Sequence, residues 1–223
     1  MNILVNHLPT SSHGTAVRVL RETDLAALHA QILASGLATL ITVGTDGPIV
    51  SHLPMLLDPG AGASGTLTGH VARANPQWKD SDFGKPAIAM FMGPDAYVSP
   101  NWYPSKAEHG KAVPTWNYAA VHAYGRLRVI QDQAWLLAHV AELSDQQEAP
   151  FEARWATSDA PESYMAVMAR GIVGLELAIT RLEGKVKMSQ NRPPADREGV
   201  VRGLAERAHG DDAQTAALVA KFK

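Results

Sequence analysis

The first clear apolar rhythm in the chain repeats every three to four residues. In "RETDLAALHAQILASG", Leu25, Leu28 and Ile32 fall on one face, Thr23 or Asp24 can cap the free amides, and Gly36 supplies the stop. The segment therefore predicts a helix. From Leu37 the period falls to two. "LATLITV" (37–43) predicts a strand, "TDGP" a turn and "IVSHLPMLL" (49–57) the returning strand. Pro54 cannot donate to a ladder, so that strand must bulge, end or lie at an edge there. "TLTGHVA" (66–72), the nearly all-apolar "AIAMFMG" (87–93) and "AYVS" predict further strands, and "TWNYAAVHAYGRLRVI" (115–130) a long one bent at Gly125.

The helical period then returns. "DQAWLLAHVAELSDQQE" spaces Leu136, Val140 and Leu143 for one face, and "SDAPESYMAVMARG" carries Pro161 near its first turn. "IVGLELAITRLEGKVKMSQN" is strand-like again, and two helical segments, near 195–208 and 212–222, close the chain. Six or more strands with sparse helices predict a mostly β protein, a closed or split barrel with helices packed outside. The strands and helices alternate too irregularly for a doubly wound parallel sheet. Residues 1–20, with "TSSHGT", read as a mobile arm, 21–203 as the barrel domain and 204–223 as a helical extension.

Composition narrows the function. A chain of 223 residues with 46% hydrophobic and 19% charged residues buries a core without staples. The net charge of -2 gives no global attraction to DNA or anionic membranes, which argues against a dedicated nucleic-acid binder. Zero cysteines exclude disulfides, thiolate nucleophiles and thiolate-held metals. The N-terminus lacks a basic segment followed by a long apolar run, and no apolar run is long enough to span a bilayer. A cytoplasmic protein is the expectation.

No P-loop, nucleophile elbow, dinucleotide fingerprint or zincin-like His pair is present. Cationic and hydroxyl groups at predicted strand ends remain. In "TGHVARANPQW", His70, Arg73 and Asn75 could cradle a phosphate, since Arg is a planar fork of donors and a helix follows; a solvated Arg and a helix-capping Asn are the alternative. Ser51, His52 and Leu53 precede Pro54, which frees backbone groups for a planar ligand's edge or simply kinks the strand. "LEGKVKMSQNR" sets Lys185, Lys187 and Ser189 on one face with Gln190 following, an anion site or a lysine-guarded edge. His70 and His52 stand out among nine histidines as acid, base or metal-ligand candidates. The stretch "SPNWYPSKAEHGKAVPTWNY" could stack bases, wall a flat cofactor or plug an interface.

Taken together and in order, "ETDLAALHAQI", "LATLITVGTDGPIVSHLPMLL", "GTLTGHVARANPQW", "VSPNWYPSKAEHGKAVPTWNY" and "KMSQNRP" resemble the PaiB family, described as FMN-binding negative transcriptional regulators. The resemblance covers roughly 21–203. It implies a split β-barrel (the FMN-binding split-barrel fold) that forms a homodimer with two cofactor sites at the subunit interface. By carry-over, His70, Arg73 and Asn75 would lie at the FMN phosphate and Ser51, His52 and Leu53 along the isoalloxazine edge. Trp116, Lys187, Ser189 and Gln190 would complete the pocket, some from the partner chain. Where the family has a "MYxPxxF" segment, this chain has "TAVRVL". Piperazate synthases resemble the same family and use haem b to close an N–N bond. In that alternative His70 takes the iron and the protein is a haem- or flavin-dependent redox enzyme. No residue is identifiable as catalytic. The C-terminal segments mix charge signs and do not read as groove-binding helices, so direct DNA contact is not expected. A small-molecule cofactor and a second copy of the chain are the expected partners.

Overall fold

The computed structural model describes residues 21–222. The expected N-terminal arm and the divergent "TAVRVL" segment lie outside them. Two compact units divide the chain: a barrel unit of Thr23–Gly93 and Ala120–Gly184, and a second unit of Pro94–Ala119 with the stretch from Lys185. The strands are β1 (Arg21–Glu22), β2 (Leu37–Gly44), β3 (Gly47–Asp58), β4 (Thr66–Ala72), β5 (Ala87–Val98), β6 (Thr115–Ile130) and β7 (Ile172–Lys187). The helices are α1 (Leu25–Ser35), α2 (Gln77–Asp80), α3 (Pro104–His109), α4 (Gln133–Glu148), α5 (Glu162–Arg170), α6 (Pro194–Arg207) and α7 (Asp212–Lys221).

The barrel follows from the period-two pattern. β2 and β3 pair from Leu37↔Pro54 to Gly44↔Gly47, leaving a two-residue hairpin loop, Thr45 and Asp46. Gly47, at φ 123°, takes the backbone conformation that closes it. At Pro54, β3 changes partners: its pairing with β2 stops there, and its pairing with β4 begins at Met55↔Gly69. The missing N–H thus falls at a handover between ladders. Pairing runs β7-β4-β3-β2-β5-β6, and β6 pairs back onto β7, which closes the ring. The result is mostly β with peripheral helices, a split-barrel architecture as the pattern predicted.

Alternate residues fill the barrel. Leu40, Leu67, Phe91, Val121, Leu175 and Leu177 are fully enclosed, and Leu28 and Ile32 of α1 pack on the same cluster. Each such side chain contributes about 1.5–3 kcal/mol relative to exposure. Leu25, predicted for this face, is exposed instead. On α4 the buried stripe is Leu136, His139 and Leu143 rather than Leu136, Val140 and Leu143. Gly125 has a packing reason: a Cβ there would collide with the Ala178 carbonyl of β7.

The two strands expected at 87–93 and in "AYVS" are one, β5 running on through Pro94. In the second unit, Val98, Tyr103, Met188, Val200, Leu204 and Val219 form a separate core. Among the described residues no helix is long and apolar enough to cross a membrane.

Candidate cofactor site

In the barrel unit, the turn after β4 is built around Asn75. Its Oδ1 accepts the Gln77 amide at 2.8 Å, capping α2, and its Nδ2 donates to Ser51 Oγ at 2.9 Å. The fold thus joins two candidates lying on different strands. Because Ser51 Oγ accepts from Asn75, its own hydroxyl hydrogen remains to donate elsewhere. His52 lies on the opposite face of β3, exposed, with Nδ1 3.1 Å from Thr39 Oγ1. Leu53 turns into the core at 3% exposure, so any ligand contact it makes is through its main chain.

Arg73 is a clamp in this structure. Nε donates to the Arg170 carbonyl at 2.7 Å, NH1 to Gln131 Oε1 at 2.9 Å and NH2 to the Ile172 carbonyl at 3.0 Å. It therefore ties the end of α5 and the start of β7 to the β4 turn. Two of its five N–H groups are left for a ligand. His70 is half-buried, and its Nδ1 lies 3.2 Å from His139 Nε2. Trp135 stacks on His139 at 5.0 Å and 8°. Burial lowers the His70 pKa; burial first, and the nearby His70 second, pull His139 down to about 4. The pair is a neutral hydrogen-bonded couple, one nitrogen donating and the other accepting.

The outer face of the barrel at β3–β2–β5 is apolar and uncovered. Leu37, Val50 and Met92 are 56%, 52% and 47% exposed. The register sets Ile41 beside Val50 and Ile88, and Thr39 beside His52 and Met90. The face is therefore continuous, with the Thr39–His52 pair as its polar centre.

The remaining candidates lie in the second unit. Trp116 is 50% exposed, donates from Nε1 to Asp95 at 2.6 Å, and meets Tyr97 edge-on. Lys187 Nζ donates to Thr115 Oγ1 at 2.6 Å; burial, then Lys185, lowers its pKa. Ser189 is buried in a reciprocal pair with Asn117, the amide donating at 3.0 Å and the hydroxyl returning at 3.2 Å. Gln190 is spent on its own turn, accepting from Met188 N and donating to the Val186 carbonyl, both at 2.6 Å.

An FMN needs a flat apolar surface for its rings, donors for its carbonyl edge and cations for its phosphate. The exposed β3–β2–β5 face with His52 meets the first need. On the other face of β3, Ser51 and Asn75 supply donors, and Arg73 supplies the cation. The donor chemistry of the chain fits the group.

Residues 17–181 match the family model described as "Putative FMN-binding domain". The chain belongs to this FMN-binding family. An uncharacterized protein of Emericella nidulans is 35% identical over 224 residues, spanning 81% of this chain and 89% of its own. The protease synthase and sporulation protein PAI 2 of Bacillus subtilis is 29% identical over 188 residues, spanning 81% and 84%, in line with the PaiB resemblance. Among solved structures, the flavocytochrome Anf3 from Azotobacter vinelandii superposes at a TM-score of 0.54 with 14% identity, over 78% of this chain and 72% of that one. That likeness shows the split-barrel fold.

Family membership covers the barrel strands, yet several structurally committed polar residues were not singled out from sequence. His139 reads as one polar position on an amphipathic helix, and only the folded helix sets it on His70. Gln77 is fully buried, donating from Nε2 to Thr42 Oγ1 and to the Leu40 and Ile49 carbonyls. Tyr103 and Arg192 are 89 positions apart, and the guanidinium lies 4.5 Å from the phenol ring centroid. No spacing rule could have joined them.

Proposed function

We propose that the chain is an FMN-binding protein working as a homodimer, in which a second copy covers the exposed face of β3–β2–β5. The observation that carries this reading is that face: a continuous apolar surface on a family-matched barrel, with the His52–Thr39 pair at its centre. In this reading Ser51, His52, the Leu53 main chain and Asn75 of the barrel unit meet the flavin, with Arg73 and His70 as the wider set. Bound FMN would supply two-electron redox chemistry or a redox-sensitive signal. The chain's own contribution is to orient the rings and exclude water.

The likeness to the Bacillus protein, whose name ties it to protease synthesis and sporulation, goes with the negative regulatory role that the PaiB resemblance implies. With a net charge of -2, we take the route to be through a partner or small molecule rather than direct DNA readout. Haem b with His70 on the iron is the lesser reading, because that imidazole is already joined to His139. The visible spectrum of the purified protein tests the choice. Two flavin bands and released FMN support the proposal. A Soret band lost in His70→Ala favours haem, and a colourless protein that takes up neither removes both.

A further inference from the structure

A second ligand site stands out in the unit formed by Pro94–Ala119 and the C-terminal stretch. A cavity of about 120 Å³ is lined by Tyr103, Thr115, Asn117, Lys187, Ser189 and Arg192, with Val113, Pro114 and Asn191 completing it. The polar lining contains two cations, three hydroxyls and two amides, and no carboxylate. Lys187 and Arg192 make no ion pair among the described residues.

One atom points to a ligand. Tyr103 is 2% exposed, and its hydroxyl has no hydrogen-bond partner. Arg192 and Ser189 face that phenol as donors from close by, short of a well-formed hydrogen bond, so the hydroxyl's own hydrogen has no acceptor. A buried hydroxyl left unmade costs about 1–3 kcal/mol, so its retention among donors needs a reason. The turn around it is held rigidly. Ser189 is at φ 59°, a conformation rare outside glycine, and Gln190 ties down the main chain just before it, at Met188 and Val186. Asp196, the nearest acid to act on Tyr103, is itself buried and taken up by Ser105, accepting from its amide at 3.1 Å and its hydroxyl at 2.7 Å.

We infer that this cavity is a binding site for a small oxyanion, the phosphate or carboxylate headgroup of a metabolite, held by the Tyr103 hydroxyl, Arg192 and Lys187 and separate from the flavin. The volume admits one such headgroup and is too small for an isoalloxazine. A carboxylate or phosphate supplies the acceptor that the Tyr103 hydroxyl needs and the countercharge the two cations need. The inference does not depend on FMN binding, because the anion is read by its own signal.

The test is calorimetric titration of the full-length protein, as purified, with inorganic phosphate and separately with acetate, against sodium chloride at equal ionic strength. One saturable site for either oxyanion is expected, and the tighter of the two names the headgroup class. Tyr103→Phe removes only the unpaired hydroxyl; it should leave the melting temperature unchanged or higher and weaken binding roughly tenfold. Arg192→Gln should weaken it further. The visible flavin content should be the same in both variants. No saturable binding by either anion, binding equal to wild type in both variants, or loss of flavin from a variant of unchanged melting temperature would each overturn the inference.

Discussion

His70 on β4 and His139 on α4 share one hydrogen bond, 3.2 Å between Nδ1 and Nε2, beneath the Trp135 ring stacked on His139. Both rings are held neutral, and the fold therefore carries a built-in sensitivity to acid. The His139 pKa is about 4 against an ordinary 6.5, so between those values the unfolded chain binds more protons than the folded one. Stability should be fully present above pH 6.5 and fall as the pH drops toward 4. The loss should be about 3 kcal/mol. Thermal melts across that window check it, and His139→Leu should flatten the slope. A melting temperature that rises on acidification through this window would be contrary to the account.

Arg73 should behave as a structural clamp. Its guanidinium binds the carbonyls of Arg170 and Ile172 and the side chain of Gln131. Arg73→Gln should cost about 1–2 kcal/mol through the lost carbonyl contacts. Denaturant unfolding measures this, and a midpoint unchanged from wild type would mean the clamp contributes nothing.

Close approach explains two C-terminal glycines. A Cβ at Gly203 of α6 would fall within the Trp102 ring, and one at Gly199 would strike the Trp102 carbonyl. Gly203→Ala should destabilise by about 1–3 kcal/mol despite the better helix propensity of alanine. A stabilised variant, read by thermal melts, would contradict this packing.

The parts of this fold that were readable in sequence are those set by local periodicity. The β2–β3 hairpin, the long strand β6 and the closing helices all follow from patterns within a few residues. Pro54 was readable as a break in pairing, but the handover from β2 to β4 requires knowing the neighbours on both sides. The union of 87–93 with "AYVS" into β5 was hidden because "GPD" looks like a turn in isolation. Among the site residues, the Ser51–Asn75 bond and the Tyr103–Arg192 stack join positions distant in sequence. The apolar outer face was hidden for another reason: Leu37, Val50 and Met92 look like core residues until the barrel sets their alternation outward.

That face is where the account is most exposed. Val50→Glu puts a charge in its middle at a position already half open to solvent, so folding of the barrel should be spared. Size-exclusion chromatography with light scattering and visible absorbance on one sample reads mass and flavin together. The wild type should elute as a dimer carrying FMN, and Val50→Glu as a folded monomer that has lost most of it. A wild-type monomer that holds FMN, or a monomeric Val50→Glu that keeps its full flavin content, would contradict the proposal that a second copy completes the cofactor site.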